Sequence, residues 1–384
     1  MEATGIMRKK TQLIHGGVTI DQTTGAVSLP IFQASTFKQQ SVGDFVYEYG
    51  RTGNPTRNGV ETFIADIEQG THGFAFASGM AAINSVMQLF HAGDHIVVTD
   101  DVYGGTYRLL TKVLSRVNIE VSFVNSANLA DVQGAIQQNT KAIFIETPTN
   151  PLLKITDIKG VAMIAKQHQI LLLVDNTFST PYWQNPLTLG ADIVLHSATK
   201  YLGGHSDVIA GLVAVKDEKL AEELHFIQNG SGAILSPHDS WLLVRGMKTL
   251  GIRMEEIEQN ANELANFLVK HPAVEKVYYP GLITHKGHEL HKTQAAGFGG
   301  IISFAVKDEA TALRVLEQTH YFTLAESLGA VESLISLPAK MTHASIPRDR
   351  RLALGIEDGL IRISVGLEDI ADLIEDLTQA LPQI

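Results

Sequence analysis

The sequence predicts an α/β protein: a mostly parallel seven-stranded sheet in a large domain, followed by a smaller α+β C-terminal domain. Three observations predict it. From residue 74 onward, short apolar runs alternate with longer helix-like segments at spacings of about twenty to thirty residues, the pattern of parallel strands joined by crossover helices. Several runs are apolar without alternation, as in Ile170-Leu171-Leu172-Leu173-Val174, which suits strands covered on both faces. After Ser236-Pro237 the pattern changes to one long helical stretch through about Lys270, and then to strands separated by shorter helices.

The strand candidates in order are 74–77, 95–99, 119–124, 142–145, 170–174, 193–196 and 208–215, then 274–279, 300–306 and 360–365. The last leads into an amphipathic helix over 368–381 with acids in its first turn, where the helix dipole favours them. The first 50 residues are turn-rich and fit neither pattern, so the chain divides as 1–50, 51–240 and 241–384, with the domain boundary inside 236–250. Residues 1–6 carry no weight in this reading, because Met7 is a second candidate start.

A length of 384 residues exceeds the roughly 150 of one ordinary domain. With 45% apolar and 18% charged residues the chain can bury a large core. Acidic residues outnumber basic ones 41 to 30, giving a formal charge of −11, which repels nucleic acid and anionic membranes and leaves small molecules as the expected ligands. There is no cysteine, so thiolate nucleophiles, disulfides, Cys-ligated zinc and iron–sulfur clusters drop out together. The longest apolar run, Val208–Val215, falls far short of the ~20 residues of a membrane span. No signal-like apolar segment follows Arg8-Lys9-Lys10, so a cytoplasmic location is expected.

Ligands of open parallel sheets sit at the carboxyl ends of the strands, and four such ends here carry chemistry. Ser78-Gly79-Met80 is a glycine turn opening a helix, able to point backbone N–H groups at an anion, or merely capped by Ser78. Ser197-Ala198-Thr199-Lys200 sets two hydroxyls beside a lysine just past a buried strand, where a desolvated amine could condense with an aldehyde; an ordinary surface lysine is the competing reading. Asp175 ends the most apolar strand, a costly place for a carboxylate unless a cation faces it or a local turn bonds it. Tyr103, in Val102-Tyr103-Gly104-Gly105, is either a stacking platform for a flat ligand or a plain loop tyrosine. An anion cradle, an aromatic, a carboxylate and an amine on successive strand ends together specify pyridoxal 5′-phosphate (PLP).

Six segments then carry a resemblance: Tyr47–Thr56, Ser78-Gly79-Met80, Glu146–Pro151, Val174–Thr177, His196–Tyr201 and Ile361–Gly366. Over nearly the whole chain they resemble the Cys/Met-metabolism family of fold-type I PLP-dependent enzymes, and within it the bacterial branch that cleaves cystathionine. The resemblance implies that Lys200 carries the cofactor, Asp175 pairs with its pyridine nitrogen and Tyr103 stacks on its ring. It implies that Gly79, Met80, Ser197 and Thr199 hold the phosphate, and that Tyr49 and Arg51 complete the neighbouring subunit's site, with residues 1–50 as an arm on that neighbour. A dimer would be the catalytic unit and a tetramer the assembly. Arg362, with Asn150 and Ser327, would bind the α-carboxylate of an amino-acid substrate, and Arg108 and Glu332 its distal end.

The implied reaction is γ-elimination of L-cystathionine to cysteine, 2-oxobutanoate and ammonia, with Lys200 as base and Tyr103 as a nearby acid. Some β-lyase activity is expected beside it. Gly105 stands where methionine γ-lyases typically carry cysteine, and the acid of Val331-Glu332-Ser333 resembles γ-lyases and γ-synthases more than the enterobacterial-type β-lyases. A γ-synthase using O-acylhomoserine is the alternative, and a non-catalytic scaffold or regulatory binder is the alternative from another class. No metal site is expected: His285, His288 and His291 read as a solvated loop, and Arg348-Asp349-Arg350-Arg351 as an exposed mixed-charge helix start.

Overall fold

The computed structural model describes residues 7–17, 20–344 and 346–382; residues 1–6, set aside above, lie outside these. Twelve strands occur among the described residues: β1 (His72–Phe76), β2 (His95–Thr99), β3 (Glu120–Val124), β4 (Thr140–Glu146), β5 (Leu171–Asp175), β6 (Ile193–Ser197), β7 (Gly211–Val215), β8 (Val274–Tyr278), β9 (Ile301–Val306), β10 (Thr323–Leu324), β11 (Leu334–Ser336) and β12 (Leu360–Ser364). The chain divides into two compact units. One runs to Leu89 and resumes over Asp192–Gly251; the other comprises Phe90–Ala191 and everything from Ile252 on.

In the first unit β7 lies between β1 and β6 and is antiparallel to both, with His72 and Ile193 each opposite Val215. An apolar run reports burial on both faces but not direction, so the predicted parallel pattern was silent on this strand. The run also promised a strand from Val208. Val208–Ala210 instead crosses Thr199, whose hydroxyl accepts the Ala210 N–H at 3.1 Å, and pairing begins at Gly211. The helix Pro55–Ile67 is capped by Asn54, which accepts the Thr56 and Arg57 N–H groups, and it buries Val60, Phe63 and Ile64. The predicted long helix after Ser236 is two helices, Pro237–Met247 and Leu250–Lys270. Between them Thr249 directs both its N–H and its hydroxyl to the Gly246 carbonyl, which ends the first ladder.

The second unit holds two sheets. The parallel strands run in the order β5-β4-β2-β3; β5, β4 and β2 are largely buried, whereas β3 is half-buried with Glu120 exposed. The other sheet has the order β10-β11-β12-β9-β8, antiparallel apart from β10 with β11. Its core joins Ile302, Phe304, Ile361 and Ile363 to Ala261, Leu264 and Leu268 of the Leu250–Lys270 helix and to Leu373 and Leu377 of the final helix, Ile370–Ala380. One expectation fails here. The Arg348–Leu354 helix start is not wholly exposed: Arg351 is buried and donates to the Ile356 carbonyl and to Asp358, while Arg350 lies 4.9 Å from the Tyr107 ring centroid and 4.6 Å from that of Phe123. A charge run in sequence does not show that aromatic rings await one of its members.

Gly211 opens β7 where the Ser78 carbonyl comes against it, so an added Cβ would collide with backbone that cannot move cheaply. Gly211→Ala is expected to lose about 1–3 kcal/mol of stability by overpacking. Urea denaturation checks this, and an unchanged midpoint would contradict the close approach.

Candidate functional site

In the first unit the site residues gather at the end of β6 and the start of the Gly79–Met87 helix. Ser78 sits in extended backbone and caps that helix, its hydroxyl accepting the Ala81 N–H at 3.0 Å. Capping does not consume the N–H groups of Gly79 and Met80, which as first-turn donors have no partner within the helix. A Cβ on Gly79 would lie 2.8 Å from the Ser197 Cβ and 2.9 Å from its Oγ, so glycine lets this helix start close upon the Ser197 hydroxyl. Thr199 follows, tied to Ala210 as described, and the Lys200 N–H turns back onto the Ser197 carbonyl at 3.2 Å. Behind the strand end, the buried His196 bonds the buried Glu68 at 2.6 Å and braces the turn. Two amides at a helix start with two hydroxyls beside them can hold an anion of phosphate size.

Tyr49 and Arg51 belong to the same unit and are exposed, the Arg51 guanidinium 5.4 Å from the Tyr49 ring centroid and its Nε 3.2 Å from Asn229 Oδ1. Their segment is held by Arg57, which sequence reasoning missed. Arg57 is 1% exposed and donates to the Gly50 and Arg51 carbonyls at 2.8 and 2.9 Å, with Nε 3.5 Å from the Glu61 carboxylate.

In the second unit the ends of β2, β4 and β5 carry three carboxylates. Asp175 closes β5 in register with Glu146 closing β4. Asp175 is buried and accepts the Thr177 N–H at 3.0 Å, so the local turn considered above is present. Glu146 accepts the Tyr103 N–H at 3.0 Å; burial, reinforced by the Asp175 charge, holds its carboxyl well above the ordinary range. Asp101, past β2, accepts the Thr149 hydroxyl at 2.6 Å and is pushed up to about 6 by burial. Lys154 grips Asp100 at 3.1 Å, so the strand-end acid pair fastens the loop carrying Asn150.

The three residues expected to meet a carboxylate lie together within this unit. Arg362, on β12 and 2% exposed, donates to Asn150 Oδ1 at 3.0 Å and to the Ser327 carbonyl at 2.8 Å. Ser327 contributes its backbone, at the left-handed φ of 126°. Tyr103 precedes the Gly104–Arg108 helix. Desolvation raises its phenol above the ordinary value, opposed by the nearby Arg108 guanidinium and assisted by the carboxylates of Glu326 and Glu146. Arg108 is thus placed electrostatically with Tyr103, and Glu326 is an acid there that sequence reasoning did not single out. Glu332 precedes β11; beside it Ser333 is clamped by Glu368 through its N–H at 2.6 Å and its hydroxyl at 2.8 Å.

The histidine trio is not a solvated loop. His285, His288 and His291 bond the carbonyls of Leu153, Pro280 and Gly297, and His291 is buried. Among the described residues no group of three or more His, Cys, Asp or Glu is placed to hold a metal ion. Two further residues escaped sequence reasoning. Glu146 gave the same signal as Asp175, an acid closing an apolar run. His343, fully buried, bonds the Asn150 carbonyl at 2.8 Å, and nothing in its local sequence marks it.

A model of the Cys/Met metabolism PLP-dependent enzymes matches residues 10–382. The chain belongs to this family. Among the relatives of this family member, a cystathionine gamma-lyase of Bacillus subtilis (strain 168) is 63% identical over 98% of this chain and 100% of its own length. A cystathionine beta-lyase of Lactococcus lactis subsp. cremoris (strain MG1363) is 58% identical over 97% of this chain and 98% of its own. The crystal structure of cystathionine gamma-lyase from Lactobacillus plantarum complexed with L-serine superposes with a TM-score of 0.95 at 54% identity, over 97% of this chain and 98% of that one. The fold-type I expectation is met, and PLP is the cofactor of the family. No helix among the described residues is long and apolar enough to cross a membrane.

Burial depresses both His343 and His291 to about 4, against about 6.5 for a solvated imidazole. In the window between, the unfolded chain binds protons that the folded chain refuses, so these residues add stability above pH 6.5 that is lost as pH falls towards 4. The loss should be on the order of 3 kcal/mol per histidine. Urea denaturation from pH 7 to 4.5 should show a shallower slope for His343→Asn than for the wild type; equal slopes would contradict a neutral buried His343.

Proposed function

We propose that this PLP-dependent enzyme is a carbon–sulfur lyase that eliminates at Cγ of L-cystathionine, releasing cysteine, 2-oxobutanoate and ammonia. The observation that carries an amino-acid substrate is the buried Arg362 guanidinium, held in one orientation by Asn150 and Ser327, a geometry suited to a carboxylate. The choice of γ-elimination is supported by Glu332, by Gly105 and by the 63% likeness to a protein named a gamma-lyase.

The residues present fit the cofactor. The Gly79–Ser197 approach, which a Cβ would fill, leaves amides and hydroxyls suited to a phosphate, for which we propose Gly79, Met80, Ser197 and Thr199. Asp175, an acid in an apolar setting, would keep a pyridine nitrogen protonated, and Tyr103 would cover the ring. When bound, PLP withdraws electrons from the bonds at the substrate Cα. Lys200 would hold the cofactor, then take the Cα proton once its amine is free, and move protons along one side of the substrate. Tyr103 would give a proton to the departing sulfur, with Arg108 beside it lowering the cost of the phenolate. Arg362 would hold the α-carboxylate throughout, and Arg108 and Glu332 would meet the distal amino-acid end.

Tyr49 and Arg51 are proposed to act on the phosphate of a neighbouring subunit, which makes a dimer the catalytic unit and a tetramer the proposed assembly. Their exposure here supports that reading. The division into an arm to residue 50, a cofactor-binding part to 240 and a C-terminal part, and a cytoplasmic location, are proposed on the same footing.

Incubation with L-cystathionine, followed by identification of the keto acid, tests the reaction: 2-oxobutanoate is expected, and pyruvate as main product would make the chain a β-lyase. Incubation with O-acylhomoserine plus cysteine should form little cystathionine; rapid formation would make it a γ-synthase. Arg51→Ala should weaken PLP affinity about tenfold or more, as loss of a charged hydrogen bond to an anion would. Apoenzyme titration measures this, and wild-type affinity in the variant would remove Arg51 from the phosphate site.

A further inference from the structure

We propose that Arg57 is a positioning residue for cofactor binding: by holding the two peptide planes that flank Arg51, it aims the Arg51 guanidinium outward, towards a phosphate. The inference rests on the role proposed above for Arg51 and adds the residue through which that role is set.

The carbonyls that Arg57 takes, those of Gly50 and Arg51, lie on either side of the Arg51 Cα, at 2.8 Å from Nη1 and 2.9 Å from Nη2. Two planar peptides meet at that carbon. One rigid guanidinium therefore restrains both dihedral angles, and with them the direction in which the Arg51 side chain leaves the backbone. The turn has backbone hydrogen bonds of its own, from the Gly50 N–H to the Ser35 carbonyl at 2.7 Å and from the Gly53 N–H to the Tyr49 carbonyl at 3.0 Å, but these belong to other peptide planes. Among the described residues, Arg57 supplies the only hydrogen bonds to the two planes in question. The side chain is steadied separately: Asn229 Oδ1 accepts Arg51 Nε, and neither terminal nitrogen of Arg51 is hydrogen-bonded among the described residues. A guanidinium anchored through its inner nitrogen presents its outer pair for a two-point grip on an anion.

Arg57 can serve as a fixed point because it is itself held. It is buried, its N–H is taken by the Asn54 cap, and Glu61, one helical turn on, faces its Nε. Glu61 is tied in turn to β1 through the Ala75 N–H and to the Glu218–Ser231 helix through Gln228. Gln228 and Asn229 are consecutive, so one helix end braces both Arg57 and Arg51. A lysine at 57 would keep the charge beside Glu61 but, as a point donor, lose the fork that spans two carbonyls.

Arg57→Lys, Arg51→Ala and the double variant are compared with the wild type by PLP titration of the apoenzymes and by amide hydrogen exchange over residues 50–53. Arg57→Lys should bind PLP about fivefold more weakly, as loss of a neutral hydrogen bond would cause, and exchange faster over 50–53. The double variant should bind no more weakly than Arg51→Ala alone, because Arg57 acts through Arg51. Additive losses, or wild-type affinity in a folded Arg57→Lys, would overturn the proposal. If Arg57→Lys does not fold, the wild type decides. Its exchange over 50–53 should be as slow without PLP as with it; protection that arises only on adding PLP would mean that the ligand, not Arg57, orders the segment, and would overturn the proposal as well. Wild-type affinity in Arg51→Ala would instead remove the phosphate role of Arg51, and the exchange comparison, which needs no cofactor, would still judge the tie.

Discussion

Arg362 carries a permanent charge into the interior at 2% exposure, and much of its unit is arranged around keeping that charge solvated by protein. Asn150 and the Ser327 carbonyl accept its N–H groups. Each acceptor needs its own support. His343 bonds the Asn150 carbonyl, and Asp101, through Thr149 and Leu152, fixes the loop on which it stands. Ser327 is held at a backbone conformation that side chains rarely adopt. Such a guanidinium is oriented in advance, so the carboxylate proposed as its ligand would not have to supply the ordering.

The other unit solves a different problem, how to bring donors close without filling the space they surround. Glycine does this at Gly79, where any side chain would press on Ser197, and at Gly211, where it would press on the Ser78 carbonyl. The charges nearby are handled by pairing. Arg57 and Glu61 are both withdrawn from water, and Glu61 also accepts the Ala75 N–H and the Gln228 amide. This pairing lets Arg57 spend its remaining donors on the Gly50 and Arg51 carbonyls, which leaves Tyr49 and Arg51 presented outward on a fixed segment.

Much of this was legible because it is written in local chemistry. Asp175 and Lys200 were found as polar residues closing apolar strands, and Ser78-Gly79-Met80 as a turn before a helix. In Asp175 and Ser78 the structural and the functional readings proved compatible: the local turn and the helix cap are both present, and neither uses up the groups proposed for the ligand. Glu146 was legible by the same signal, yet its significance depends on a backbone amide 43 positions away. His343 and Arg57 were illegible, since a histidine or an arginine in a sequence carries no mark of the carbonyl it will bond. The histidine trio misled for the same reason: spacing suggested a wet loop, and three backbone carbonyls, that of Leu153 from a distant segment, decided otherwise.

By itself the sequence determined where ten of the twelve described strands lie, which of their ends carry acids, hydroxyls and amines, and that no thiol chemistry is available, because hydrophobic period and residue type act over a few neighbours; β10 and β11, of two and three residues, are too short to show a period. Tertiary structure alone decided the direction of β7, the burial of Arg351 and His291, and the bond from His343 to the Asn150 carbonyl. These depend on which remote backbone groups are left without water once the core has formed, a condition that does not exist until the chain is folded.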